Sequence, residues 1–263
     1  MASTDISHEI DWKGGNRPFQ ARYGKLMMWY FLVSDAFTFT TFLVTYGLIR
    51  FSSTIWPDPN QVFNAMPFLH GVKVPLGFVS IMTFILILSS VFVVRAVQEG
   101  HRLNKNGVLK WMGLGILGGI AFLGCQAWEW SHMHHEGMWF DRNSLQIVPK
   151  DFSPTGEALT LSPAALEEAI EDGLFTEAQV TEMQANGQMK KAPVNFTNLF
   201  FFITGFHGLH VLSGIILNII AWINTAKGVY QRRKDYEMIE KMGLYWHFVD
   251  LVWVFVFLCF YLL

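Results

Sequence analysis

Five long runs in this chain are almost empty of charge, and that pattern constrains the fold more than any other feature. Between Lys25 and Arg50 the only charged residue is Asp35, and between Lys73 and Arg95 there is none. None occurs from Trp111 to Trp128 or from Ala192 to Ala226, and from Met242 to Leu263 the only one is Asp250. A helix needs about 20 apolar residues to cross the hydrocarbon core of a bilayer. The runs therefore predict five transmembrane helices near residues 26–50, 73–97, 110–131, 196–224 and 242–263, in one membrane domain spanning residues 1–263. Composition agrees: 52% of residues are hydrophobic and only 15% are charged, against about 25% charged in an ordinary soluble domain. A net charge of −2 gives no reason to expect nucleic-acid binding. Cys125 and Cys259 lie in separate apolar runs and read as small buried hydrophobes rather than a disulfide or a thiolate metal site. The first 25 residues lack an apolar stretch of signal-peptide type, so insertion is expected to be directed by the internal spans.

An odd number of spans puts the two ends on opposite sides, and Lys and Arg choose between them. Thirteen basic residues fall in the N-terminal tail and the connections after the second and fourth spans, against six on the other side. The N-terminus is expected on the cytoplasmic side. The C-terminus and the 132–195 connection are then expected on the outer side. That outer loop is acidic and contains two helix signatures. In one, Ser162 caps, Pro163 takes the first position and Gly173 stops. The other opens on a Thr176/Gln179 capping box and ends at Asn186-Gly187. Both have thin apolar faces, Leu166 with Ile170 and Val180 with Met183, which predict a solvated helical hairpin.

Ionisable groups inside a span cost free energy and face protein or water. Here they are Asp35, His207, His210 and Asp250, with Glu129 and His247 nearer the interfaces. Metal binding would need several His and carboxylates converging from neighbouring helices. No Glu-x-x-His pair lies within a span, and His132, His134 and His135 sit at a loop start, so no metal site is expected. Thr204 and Gly208 are four apart, as are Gly115 and Gly119, and Gly205 adjoins the first pair. Small residues at that spacing let helices approach closely, and polar side chains then bond across the interface. The expectation is a structural network in which His207, His210 and His247 bond to carboxylates, with Glu129 and Asp250 as the available partners. For Asp35 the alternatives are a proton relay or a carboxyl satisfied by Ser34 or Thr38.

Several of these stretches carry a specific resemblance. TGFHGLHVLSG (204–214) and YWHFVDLVWVFVFLCFY (245–261) resemble the two signature segments of cytochrome c oxidase subunit III. KLMMWYFLVSDAFTF (25–39) is similar to that family's helix with a carboxylate after a Ser, normally Glu, and QAWEW (126–130) to its Gln-x-x-Glu-aromatic stretch. Five spans match the short bacterial form.

The resemblance implies an all-helical, V-shaped bundle that carries no redox centre and holds phospholipids in its cleft. It implies packing against catalytic subunit I, which holds haems and copper, in company with subunit II and other oxidase subunits. It also implies support for proton uptake from the cytoplasmic side, with Asp35 as the candidate. The 132–195 loop exceeds the family pattern and is a candidate contact in a larger respiratory assembly. The competing readings are the matching subunit of a quinol oxidase or a nitric-oxide-reductase system, a stand-alone membrane metalloenzyme, and a transporter. No internal repeat of the kind transporters carry is visible.

Overall fold

The computed structural model describes residues 23–63, 76–233 and 235–262. Five helices in it are long and apolar enough to cross a membrane: α1 (Tyr23–Ser52), α3 (Gly77–His101), α4 (Lys105–His135), α7 (Val194–Ala226) and α9 (Glu237–Phe257). The last continues as a π-helical turn over Leu258–Leu262. The protein is thus a mostly helical, multi-pass membrane protein. Most spans reach a few residues beyond the apolar runs, because polar end residues prolong the helices. Asn104 caps α4 by accepting from Gly107 N at 3.3 Å, while its own Nδ2 donates to Glu99 Oε2 at 2.7 Å. A polar side chain thereby closes the tight turn between α3 and α4.

The helices α3, α4, α7 and α9 pack in a ring, α3 on α4, α4 on α7, α7 on α9 and α9 on α3. Lying against this ring, α1 touches α9 and, more thinly, α7. The packing is sparsest beside α1. Most side chains on α1 are exposed, with only Phe39 and Tyr46 buried. The bundle core is aromatic, with Phe122, Phe196, Phe200, Trp246, Trp253 and Phe260 all essentially inaccessible.

The connection between α4 and α7 departs from the solvated hairpin expected of it. Its two helices are present as α5 (Pro163–Glu171) and α6 (Glu177–Ala185), with the Ser162 cap and the Thr176/Gln179 capping box in place. They pack with a three-stranded antiparallel sheet of β1 (Gln146–Val148), β2 (Leu159–Leu161) and β3 (Lys190–Lys191), in the order β2-β1-β3. Val148, Leu161, Ala169, Phe175, Val180, Met183 and Met189 form a core of their own. The thin helix faces suffice because strand residues and Phe175 complete that core. A four-residue helix, α2 (Pro59–Val62), follows the first span, and a five-residue helix, α8 (Val229–Arg233), precedes the last. Gln61, within α2, accepts from Thr160 N and donates to Ala158 O at 3.1 Å, which ties the connection after the first span to β2.

Candidate functional site

The polar groups of the spans fall into three clusters, and the pairings differ from those expected. The first joins α1, α7 and α9. His210 is 16 residues from each end of α7, about 24 Å at 1.5 Å per residue, and so lies at the middle of that helix. Its Nε2 is 3.2 Å from Asp35 Oδ2, both side chains being largely buried. The His210 Nδ1 lies 2.8 Å from the Phe206 carbonyl. A carbonyl only accepts, so Nδ1 carries a hydrogen. The contact ties α1 to the bundle. Beneath it the Ser213 and Tyr245 hydroxyls lie 2.7 Å apart and both reach the His210 carbonyl, at 2.8 and 3.2 Å. Asp35 thus finds a histidine, while Ser34 and Thr38 spend their hydroxyls on helix carbonyls, those of Phe31 and Ser34.

The second cluster lies nearer the connection between α4 and α7. Glu129 is buried on α4 and accepts from Tyr261 Oη at 2.9 Å and from Gln126 Nε2 at 3.2 Å. The π turn presents both Phe260 and Tyr261 to the interior. Glu129 therefore pairs with a phenol and an amide rather than with a histidine. Sequence reasoning missed Tyr261. The i, i+3 spacing of Gln126 and Glu129 was a usable signal for that half.

The third cluster joins α3 to α9. His247 Nδ1 lies 3.0 Å from Ser90 Oγ, and Ser90 also interacts with Asp250. Nearby, Trp246 Nε1 donates to Ser89 Oγ at 3.2 Å, Ser89 Oγ donates to the Gly115 carbonyl at 2.8 Å, and Trp253 Nε1 donates to Thr83 Oγ1 at 3.0 Å. The second span, which carried no motif, supplies Thr83, Ser89 and Ser90.

His207 joins none of these clusters. It is 0% exposed, and neither ring nitrogen has a hydrogen-bond partner. Its ring sits among Trp253, Phe122 and Phe39, with centroids at 5.1, 5.9 and 6.4 Å. The expected bond from His207 to a carboxylate on the next helix is not made, because aromatic rings fill that space.

The small residues divide similarly. A Cβ on Gly115 would come within 2.6 Å of Val93 Cγ2, and one on Gly119 within 2.6 Å of Trp246. A Cβ on Gly205 would lie 3.0 Å from Trp130. Thr204 is buried, and its hydroxyl donates to the Phe200 carbonyl at 2.7 Å. Gly208 corrects the expected stripe, since a Cβ added there would meet nothing within 4 Å. It faces outward from the bundle, so no described helix of this chain packs there. Among the described residues no three His, Cys, Asp or Glu side chains converge as a metal site would require.

Comparison with known proteins adds to this geometry. Residues 166–263 match the family model described as cytochrome c oxidase subunit III. The chain is 28% identical over 235 residues to cytochrome c oxidase subunit 3 of a Synechocystis species, covering 89% of this chain and 72% of that protein. It is 25% identical over 261 residues to the cytochrome bo(3) ubiquinol oxidase subunit 3 of Pseudomonas aeruginosa, covering 98% and 90%. It is 26% identical over 250 residues to the quinol oxidase subunit 3 of Bacillus subtilis, covering 93% and 91%. With five spans, polar clusters centred on the signature segments and relatives matched along most of its length, the chain is similar to the cytochrome c oxidase subunit III family.

Proposed function

We propose that this chain is the non-redox integral subunit of a haem–copper terminal oxidase, the respiratory complex that reduces O2 to water and moves protons across the membrane. The observation that carries the reading is the combination of relatives matched over 89–98% of the chain with intramembrane histidines engaged as helix contacts or enclosed by rings. His210 clamps α1, His247 bonds α3, and His207 is walled in by Phe39, Phe122 and Trp253. The haems and copper belong to partner subunits, with subunit I the direct neighbour and subunit II beyond it. Phospholipid fills the opening beside α1, and the folded 136–193 segment serves as a contact in a larger respiratory assembly. The N-terminus faces the cytoplasm of a bacterium and the outer loop the periplasm, by the bias of Lys and Arg.

Cytochrome c as electron donor is the main reading and a quinol the second. The second is supported by relatives named as quinol oxidase subunits that align over as much of the chain as the cytochrome c oxidase one does. Affinity purification through this chain tests both. The expected result is an assembly with haem absorption bands that consumes O2 with reduced cytochrome c. Consumption with quinol alone selects the second reading, and an assembly without haem contradicts both.

Asp35 is the candidate group for proton uptake. It lies 12 residues along α1 from Tyr23, about 18 Å, and 3.2 Å from the imidazole of His210, a side-chain type able to exchange protons. Asp35→Asn should leave assembly intact and slow proton uptake or shorten the active lifetime of the oxidase. Unchanged turnover and lifetime in that variant would remove Asp35 from the mechanism.

A further inference from the structure

The side chain of His247 is exposed on the outside of the bundle. It is 10 residues from the start of a span that runs from Glu237 to Leu262, only about 4 Å from that span's midpoint. Ser90, its partner on α3, is 13 residues from Gly77 and 11 from His101, so both elements put this contact at the membrane middle. The surrounding surface is greasy: Ile87, Val91 and Val94 on α3 and Leu251 and Val254 on α9 are all exposed. An imidazole at that depth cannot face acyl chains without a penalty. Asp250 lies one turn further along the same face of α9. It is 95% buried, being 5% exposed, and its Oδ1 has no partner. With Nδ1 engaged by Ser90 Oγ, Nε2 is the ring nitrogen left to bond outward, and the carboxyl group behind it favours an approaching donor or cation over another acceptor.

We propose that this α3/α9 face is the docking surface for a transmembrane helix of a neighbouring oxidase subunit, which presents a hydrogen-bond donor to His247 at mid-membrane. The assignment rests on the proposed function above and adds which face makes the contact. The apolar residues on either side supply the packing, and the His247 bond sets register and depth, as interhelical polar contacts do in bilayers.

The test uses the intact complex, with a photoreactive benzoylphenylalanine placed at Leu251 or Val94 on this face, or at Leu209 or Ile216 on α7. Cross-linking from Leu251 and Val94 to another oxidase subunit is expected. A dimer of this chain, or adducts with lipid alone, from those two positions would overturn the proposal. So would cross-links to the haem-bearing subunit from Leu209 and Ile216 only, and that result would leave the subunit assignment standing. As a second measurement, His247→Leu should lower retention of this chain in the detergent-solubilised complex by about 3- to 30-fold. His247→Asn should recover part of the loss, because its amide can still accept at that depth. Equal retention of wild type and His247→Leu would also contradict the proposal.

Discussion

A buried histidine with no partner and a buried carboxylate with two are both polar residues inside a membrane protein, yet they respond oppositely to substitution. His207 has both nitrogens orphaned inside an aromatic box. An unsatisfied buried polar group costs about 1–3 kcal/mol, so His207→Phe should be neutral or should raise the thermal midpoint of the detergent-solubilised chain. A clear fall would show that His207 has a polar partner in the folded protein. Glu129 is held by Tyr261 and Gln126. Tyr261→Phe should lower stability by about 1–3 kcal/mol, read by the same melt, and no change would mean that the phenol–carboxylate bond contributes nothing. The inventory of such residues was legible in the sequence, because a charge in an apolar run stands out. The pairings were not. Whether His210 meets Asp35 or Asp250 depends on helix rotation and on which spans are neighbours, and hydrophobic runs encode neither when every face is apolar.

Helix elements show the same division. The five spans could be read from run length alone, and the Ser162 and Thr176 caps from local motif, because both signals are contained within one stretch of chain. The strands β1, β2 and β3 are two or three residues long, too short to display an alternating pattern, and they exist only because they pair with one another. The glycine stripes were half legible. Spacing marks small faces, but only packing tells which face has a neighbour. Gly119→Leu should clash with Trp246 and Ile215 and lower the yield of folded chain, since overpacking costs about 1–3 kcal/mol. Gly208→Leu should leave the isolated chain folded, because the space around it is open. Circular dichroism and gel filtration of both variants would check this. A misfolded Gly208→Leu with an intact Gly119→Leu would invert the assignment of faces.

At the scale of the whole molecule the protein is an aromatic four-helix ring, a first helix clamped to it at His210, and a small unit between α4 and α7 with its own core. Phe175→Ala should destabilise that unit by about 3–5 kcal/mol, the usual cost of emptying a core phenylalanine site. Limited proteolysis should then cut within 146–191 while the spans stay protected, and equal resistance to wild type would mean the unit does not depend on that core. The central claim is that this molecule scaffolds redox chemistry located in its partners. The most direct test is the haem and metal content of the chain, first within the purified complex and again after it has been stripped free. The account predicts haem and copper in the complex and none in the free chain. Stoichiometric haem, iron, copper or zinc retained by the free chain would contradict it, and would make His207 the first residue to re-examine.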